Sequence, residues 1–255
     1  MTSSPTRIAL ITGASRGLGR SAALHLAAQG VHLIITYKDS AATAQEVVAQ
    51  IEALGSRAVA LRLDVGDSQS FDAFAEQVAA VLARTWQRRQ FDCLVNNAGV
   101  GFTASFAETT EEQFDQLANI HLKGTFFLTQ KLLPLICDGG RIVNTSSGLA
   151  RFSIPGHAAY AMMKGGIEVL TRYLAKELGA RGMCVNTIAP GAMETDFGGG
   201  TVRDNAQVNA HLSGLTALGR VGLPDDIGGA VAALLSEGNG WITGQRIEVS
   251  GGMLL

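Results

Sequence analysis

Residues 8–28, IALITGASRGLGRSAALHLAA, decide the fold of this chain. The apolar run at residues 8–12 predicts a short buried strand, because aliphatic and β-branched runs without alternation are typical of strands covered on both faces. The alanines and leucines between residues 22 and 27 recur at helical spacing. Glycines between the two segments let the backbone turn tightly. Strand, glycine-rich turn and helix in this order predict the first unit of a parallel βαβ fold.

The turn itself, TGASRGLG at residues 12–19, has the composition of a phosphate-binding loop. Gly13, Gly17 and Gly19 permit the backbone to approach a pyrophosphate, whose charge is favoured by the free N–H groups at the helix start. The spacing is GxxxGxG rather than the GxGxxG of the common dinucleotide fingerprint, so a bare tight turn is the alternative. Its position between a first strand and a first helix favours dinucleotide binding.

Short β-branched runs recur along the rest of the chain with longer helical patterns between them, which predicts further βαβ units. No linker, repeat or charge block interrupts the alternation, so we predict one domain over residues 1–255. The predicted fold class is α/β, a single doubly wound Rossmann-type domain with a mostly parallel seven-stranded sheet. The strands are predicted near residues 8–12, 31–36, 58–63, 93–96, 142–145, 185–189 and 246–249.

The longest irregular stretch is predicted at residues 190–214. It contains Gly198, Gly199 and Gly200, which permit unusual backbone angles and mobility. We interpret this stretch as a substrate loop, with a plain surface excursion as the alternative.

The composition of the 255 residues is that of a compact globular protein, with 47% hydrophobic and 16% charged residues. A formal net charge of -2 supplies no basic field, so neither nucleic acid nor an anionic membrane is an expected partner. The three cysteines form no CxxC pair, which argues against a disulfide framework and a metal site, and Cys93 and Cys184 are expected to be buried. The start MTSSPTR has no apolar signal core, so we expect a cytoplasmic location.

The end of the second strand indicates which dinucleotide is bound. Proteins that prefer NAD usually place an acidic residue there for the ribose hydroxyls, but this strand ends at Tyr37 and Lys38. Arg16 lies in the glycine turn, so Arg16 and Lys38 could both pair with a 2′-phosphate through charge-assisted hydrogen bonds. Either cation alone is ordinary on a protein surface. Their joint placement and the missing acid predict NADP(H).

Tyr160 and Lys164 stand four residues apart, on one face of a helix that follows the fifth predicted strand. A nearby ammonium stabilises a phenolate, so we expect Lys164 to lower the pKa of Tyr160 from its usual value of about 10. Such a tyrosine can exchange protons near neutral pH. The pair alone is common on helices, and its meaning depends on the other motifs.

Five motifs in order carry a resemblance to a known family. They are TGASRGLG, NNAG at residues 96–99, Ser147, YAMMK at residues 160–164, and Pro190 with Gly191. From Arg7 to Gly252 the chain closely resembles the short-chain dehydrogenase/reductase family, particularly members similar to 3-oxoacyl-carrier-protein reductases. The resemblance implies hydride transfer between NADP(H) and a carbonyl or alcohol substrate. It also implies a homo-oligomer, a tetramer.

The functional residues of the family carry over to matching positions. The resemblance implies that Tyr160 is the catalytic acid/base, that Lys164 holds the nicotinamide ribose, and that Ser147 polarises the substrate oxygen. The family interval of thirteen residues before the tyrosine selects Ser147 over Ser146. The cofactor is expected to contact Gly13, Ser15, Arg16, Gly17, Leu18, Gly19, Tyr37, Lys38, Asp64, Val65, Asn96, Ala98, Gly99, Tyr160, Lys164, Pro190, Gly191 and Thr195.

One position departs from the family pattern. The family usually has an asparagine before a segment like residues 122–127, LKGTFF, but here His121 precedes it and Asn119 lies two positions too early. In the family that asparagine helps to hold a water that relays protons to the lysine, partly through its backbone carbonyl. His121 is a candidate catalytic residue because imidazole titrates near neutral pH, and a packed histidine without a catalytic role is the alternative.

Other functions stay open on the sequence alone. A nucleotide-binding regulator would keep the fold without turnover, and an isomerase or dehydratase would convert its substrate without net consumption of cofactor. The sequence does not distinguish an acyl thioester from a sugar, a steroid or a small ketone. Candidates for the lining of the substrate pocket are Arg151, Phe152, Ile154, His157, Met193 and Phe197.

Overall fold

A computed structural model describes residues 6–255 of the chain. Residues 1–5, on which the prediction of a missing signal core partly rests, lie outside the described residues. Strands and helices alternate along the described part. The strands are β1 Ile8–Ile11, β2 His32–Tyr37, β3 Ala58–Arg62, β4 Phe91–Asn96, β5 Ile136–Thr145, β6 Cys184–Pro190 and β7 Arg246–Val249. The helices are α1 Gly17–Ala28, α2 Ala41–Ala53, α3 Phe71–Val81, α4 Glu111–Leu117, α5 Thr125–Leu132, α6 Ala158–Leu178, α7 Thr201–Asp204, α8 Ala206–Gly214 and α9 Pro224–Leu234.

All seven strands pair in parallel in one sheet of order β3-β2-β1-β4-β5-β6-β7. The chain starts in the middle at β1, moves outward to β3, and then returns to β4 and moves outward the other way. The strand order therefore reverses between β1 and β4, and α/β proteins bind ligands in the crevice at the carboxyl ends of strands at such a point. The prediction of a doubly wound seven-stranded α/β domain is confirmed.

Helices cover both faces of the sheet, which explains why its strands are apolar without alternation. Ile11 and Ile35 lie on the face that packs against α1, α2 and α9. Leu10 and Ile34, their neighbours in the chain, lie on the face that packs against α3, α5 and α6. Each central strand thus contributes to two apolar layers, which hold its carboxyl end rigidly.

Most strand ends lie within two residues of the prediction, and two regions differ by more. β5 begins at Ile136 rather than near residue 142, because Ile136 pairs with Phe91 before a shift in register carries the strand past its glycines. The stretch predicted to be irregular at residues 190–214 contains α7 and α8. The side chain of Asn205 accepts hydrogen bonds from the first amides of α8, which starts that helix. The irregular part ends at Gly200, and the three successive glycines there all have positive φ.

Cys93 and Cys184 are buried as predicted, and neither they nor Cys137 form a disulfide. Within residues 6–255, no group of three His, Cys, Asp or Glu side chains is placed to hold a metal ion. No helix in the described part of the chain is long and apolar enough to span a membrane.

Candidate active site

The glycine turn packs directly against the segment that follows β4. A Cβ atom on Gly13, which has φ +64°, would lie 2.8 Å from Cα of Ala98, and a Cβ on Gly19 would lie 2.5 Å from the carbonyl oxygen of Gly13. The side-chain amide of Asn97 donates to the carbonyl oxygens of Thr12 and Gly13 at 2.9 and 3.1 Å. Only glycine fits these positions. The close packing and the hydrogen bonds from Asn97 together join the segments that follow β1 and β4.

The start of α1 offers an anion site. No side chain caps the helix, and its first turn contains no acidic residue. Gly17 has φ +57°, and the atom nearest to a Cβ there would be the methyl carbon of Thr195 at 3.9 Å. Unpaired N–H groups at a helix start favour negative charge. The turn therefore fits a dinucleotide diphosphate, with Thr195 on the opposite side.

Both cations predicted for a 2′-phosphate are paired with carboxylates in this structure. Nζ of Lys38 lies 2.8 Å from Oδ2 of Asp64, and Nη1 of Arg16 lies 3.7 Å from Oδ2 of Asp196. The hydrogen bond to Asp64 raises the pKa of Lys38. Asp64 was predicted to contact the cofactor, but its pairing with Lys38, and the pairing of Arg16 with Asp196, were not predicted.

Asn96 joins the central strands from inside. Its amide donates to Asn144 of β5 at 2.8 Å and to Thr129 of α5 at 3.0 Å. These bonds tie β4 to β5 and to α5 at the carboxyl end of the sheet.

The Asp64 carboxylate is also held by the backbone. The amide of Gly66 donates to Oδ1 of Asp64 at 2.9 Å.

Tyr160 and Lys164 lie on one face of α6, as their spacing predicts, and both are buried. Nζ of Lys164 donates to the carbonyl oxygen of Thr145 at 2.8 Å and lies 5.5 Å from the ring centroid of Tyr160. Burial lowers the pKa of Lys164 to about 7. Burial also raises the pKa of Tyr160, and a hydrogen bond with Ser147 offsets part of that rise. The expected lowering of the tyrosine pKa is wrong here, because burial desolvates the phenolate and so favours the protonated form. Tyr160 is protonated at neutral pH.

The two adjacent serines have different partners. The hydroxyl of Ser146 donates to Oε1 of Glu168 at 2.7 Å, away from the tyrosine. Oγ of Ser147 accepts from the amide of Leu149 at 3.2 Å. The Ser147 side chain is also the group that opposes the rise in the pKa of Tyr160. The structure therefore brings Ser147, Tyr160 and Lys164 together and leaves Ser146 to a structural contact.

His121 lies in a π-helical turn between α4 and α5, at the back of Tyr160. Its Nε2 atom is 2.7 Å from the carbonyl oxygen of Val100, so Nε2 donates and Nδ1 is an acceptor. Nδ1 is buried and has no hydrogen-bond partner among residues 6–255. Burial, helped by the charge of Lys164, lowers the pKa of His121 to about 3. The ring is neutral at physiological pH and does not titrate there as a free imidazole does.

The segment after β6 covers the front of the site. Gly191 donates to the carbonyl oxygen of Val249, which places Pro190 and Gly191 at the end of the sheet. The ring of Phe197 tilts over Tyr160, with centroids 5.6 Å apart, and touches Gly101. Asp196 pairs with Arg203 as well as with Arg16. This segment thus reaches from the glycine turn to the tyrosine.

The sequence profile of a family described as enoyl-(acyl carrier protein) reductase matches residues 13–254. Tetrahydroxynaphthalene reductase PfmaG of Pestalotiopsis fici is 36% identical, over 96% of this chain and 91% of its own length. A short-chain dehydrogenase/reductase from Serratia marcescens has a TM-score of 0.90 at 29% identity, over 99% of this chain and 100% of its own. The chain belongs to the short-chain dehydrogenase/reductase family. The prediction of this family, and with it of an oxidoreductase, is confirmed.

A second solved structure, the angucycline C-6 ketoreductase LanV with bound NADP, has a TM-score of 0.93. It is 37% identical, and the match covers 98% of this chain and 96% of that one. All three comparisons span nearly the whole length of both proteins, so the similarity includes the fold and the segments that form the candidate site.

The predicted lining residues of this short-chain dehydrogenase/reductase differ in their surroundings. Phe197 contacts Tyr160. Arg151 turns away, because it pairs with Glu248 and donates to the carbonyl oxygens of Met253 and Leu254. The other four have different neighbours: Phe152 lies against Gly148, Met193 pairs with Gly222, His157 precedes α6, and Ile154 is half-buried in the preceding loop.

Proposed function

We propose that this short-chain dehydrogenase/reductase uses NADPH to reduce a ketone of a fused-ring aromatic compound to the alcohol. The observation that carries the proposal is the buried group formed by Ser147, Tyr160 and Lys164, in which the tyrosine is protonated and ready to donate. A protonated acid beside a hydroxyl donor is what carbonyl reduction requires.

The prediction of NADP(H) agrees with solved relatives, since LanV carries NADP. The glycine turn and the start of α1 would hold the diphosphate, because they offer close backbone approach and free N–H groups. Arg16 and Lys38 would hold the 2′-phosphate, in exchange for their present carboxylate partners. Lys164 would hold the nicotinamide ribose.

When bound, NADPH supplies the hydride that adds to the carbonyl carbon. Tyr160 gives its phenolic proton to the carbonyl oxygen, which completes the alcohol and leaves a phenolate. Ser147 donates a hydrogen bond to the same oxygen while negative charge develops on it. The ammonium of Lys164 stabilises the phenolate, because it lies over the tyrosine ring in a site from which water is largely excluded.

The fused-ring class follows from the relatives and from the front of the site. The names of two relatives specify a hydroxylated naphthalene and an angucycline as substrates. In this chain Phe197 is 46% exposed while its ring tilts over Tyr160. An exposed aromatic face beside the proton donor suits stacking with a flat ring system.

A second candidate function is the reduction of an acyl thioester, because the matching family profile is described as enoyl-(acyl carrier protein) reductase. A panel separates the two. The purified chain is given NADPH with 1-tetralone and a hydroxylated naphthalenone, with acetoacetyl thioester, or with an aliphatic ketone, and NADPH loss and alcohol formation are followed together. We expect the bicyclic ketones to give the highest kcat/KM. Preference for the thioester would support the second candidate, and substrate conversion without NADPH loss would indicate an isomerase or dehydratase.

Tyr160→Phe is the control for this panel. It removes the proton donor but keeps the ring, so turnover should be lost while NADPH still binds. Full ketone reduction by this variant would show that another residue is the acid.

We also propose a homotetramer in the cytoplasm, with residues 190–214 as the substrate loop. An exposed apolar face on α5 and α6 supports self-association, since Phe126 and Tyr173 lie on it and are unusually exposed for aromatic residues. Analytical ultracentrifugation tests the tetramer, and a monomer would contradict it.

A further inference from the structure

Three consecutive residues at the end of β5 are each held by a charged side chain. Besides the bond from Lys164 to the carbonyl oxygen of Thr145, the hydroxyl of Ser146 donates to Oε1 of Glu168 at 2.7 Å. Nη2 of Arg246 donates to the carbonyl oxygen of Ser147 at 3.2 Å. The segment that carries Ser147 is therefore held at three successive residues, through two backbone carbonyls and one hydroxyl.

Glu168 and Arg246 act as one unit. Nε of Arg246 lies 2.6 Å from Oε1 of Glu168, and their side chains are only 22% and 14% exposed. The same guanidinium pairs with Oε2 of Glu248 at 2.8 Å, so it stands between two carboxylates. Largely buried charges are costly unless they are paired and hydrogen-bonded. Both charges of this unit are paired and hydrogen-bonded.

The unit is continuous with the reacting groups. Tyr160, Lys164 and Glu168 follow one another at four-residue intervals, so Glu168 extends the same face of α6. Arg246 is the first residue of β7, beside Thr187 of β6. Helix, strand end and edge strand are thereby joined at the point where Ser147 leaves the sheet.

We infer that Glu168 and Arg246 are positioning residues that orient the hydroxyl of Ser147, an inference that rests on the proposed role of Ser147 in ketone reduction. Oγ of Ser147 accepts from the amide of Leu149, which leaves its own proton to donate. The direction of that proton depends on the backbone between Ser146 and Leu149. Small displacements of a donor from the reacting oxygen are costly in rate.

Arg181 provides a matched control at the other end of β5. Its Nε lies 2.7 Å from Oδ1 of Asp138, and its Nη2 donates to the carbonyl oxygen of Ile136 at 2.6 Å. Arg181, like Arg246, therefore joins a carboxylate to a backbone carbonyl, but at the start of β5 rather than just beyond its end. Both arginines contribute to the structure, but Arg181 is remote from Ser147.

The test compares Arg246→Gln with Arg181→Gln in the full chain. We expect both variants to lose thermal stability, but only Arg246→Gln to lower kcat, by about tenfold or more, with Kd for NADPH within about twofold of the parent value. Glu168→Ala should lower kcat likewise, and Glu168→Gln, which keeps an acceptor for Ser146, should retain more of it. Arg246→Lys keeps the charge but cannot reach both acceptors, and replaces the glutamine variant if that variant does not fold.

Two further measurements separate positioning from a general structural effect. In a Ser147→Ala background, Arg246→Gln should change the residual kcat by less than about twofold, because the group it positions is absent. Exchange of the Leu149 amide, measured by NMR without substrate, should accelerate in Arg246→Gln and not in Arg181→Gln. Parent-like kcat and parent-like exchange in Arg246→Gln would overturn the inference. If the parent chain reduces no ketone, the proposed function fails, and the exchange measurement still decides whether Arg246 holds this turn.

Discussion

The imidazole of His121 packs edge-on against the ring of Tyr160, with centroids 5.3 Å apart and planes at 87°. On its other side the imidazole donates to the carbonyl oxygen of Val100, so it is fixed between the tyrosine and the segment after β4. Because burial lowers the pKa of His121 to about 3, the ring is uncharged at physiological pH. We therefore interpret His121 as a neutral support for Tyr160 rather than as a titrating proton relay.

Substitution of His121 tests this interpretation. We expect His121→Asn to retain substantial activity, since asparagine is the usual residue in the family and leaves the backbone in place. His121→Ala should lose about 2–4 kcal/mol of unfolding free energy, because it opens a cavity and leaves the Val100 carbonyl unpaired. The pH–rate curve should keep its shape in both variants. Thermal melts and pH–rate curves measure the two effects, and a change confined to the region near pH 6.5 would show that the histidine relays protons.

The imidazole of His121 leaves no room for a side chain at position 99, which is Gly99. A Cβ on Gly99 would lie 2.6 Å from Cε1 of the imidazole, so Gly99→Ala should destabilise the protein and weaken NADPH binding. Addition of His121→Asn should recover part of both losses, because the shorter side chain vacates that position. Gly179→Ala is the matched control, since no atom lies within 4 Å of a Cβ there. Additive losses in the double variant would contradict the contact.

The sequence predicts the sheet and its reacting residues because both depend on local patterns. Apolar runs mark the strands, and the four-residue spacing places Tyr160 and Lys164 on one face. The same spacing places Glu168, four residues further on, on that face of α6, but none of the five motifs includes it. The pairing of Lys38 with Asp64 could not be predicted, because the two residues meet only when β2 and β3 lie side by side.

Burial of the Lys164 ammonium makes stability depend on pH. The pKa of this group falls from 10.5 to about 7 on folding, so between those values the unfolded chain binds the extra proton. Stability contributed by Lys164 is therefore fully present above pH 10.5 and is lost as the pH falls to about 7. We expect the free energy of unfolding of the parent protein to rise, relative to that of Lys164→Met, by about 1 kcal/mol per pH unit between pH 7.5 and 9.5. Urea unfolding of both proteins measures this difference. A constant difference between the two proteins would show that the lysine is solvated.

Lys38 and Arg16, each paired with a carboxylate, are the cations that we expect to select the cofactor. We expect NADP(H) to bind at least tenfold more tightly than NAD(H), a difference of about 1.4 kcal/mol. Lys38→Ala should weaken NADPH binding and leave NADH binding nearly unchanged. Asp196→Asn should strengthen NADPH binding modestly, by less than about fivefold, because an exposed ion pair such as Arg16 with Asp196 is worth at most about 1 kcal/mol.

Lys131→Ala controls for the loss of one positive charge, since Lys131 pairs with Asp72 at 2.6 Å on a different part of the surface. Its NADPH affinity should stay at the parent value. Calorimetric titration with both cofactors at low and high salt measures these effects, and the losses caused by Lys38→Ala should shrink at high salt because ions screen exposed charges. Equal affinities for the two cofactors, or a preference for NADH that Lys38→Ala does not alter, would show that the 2′-phosphate is not held by these cations.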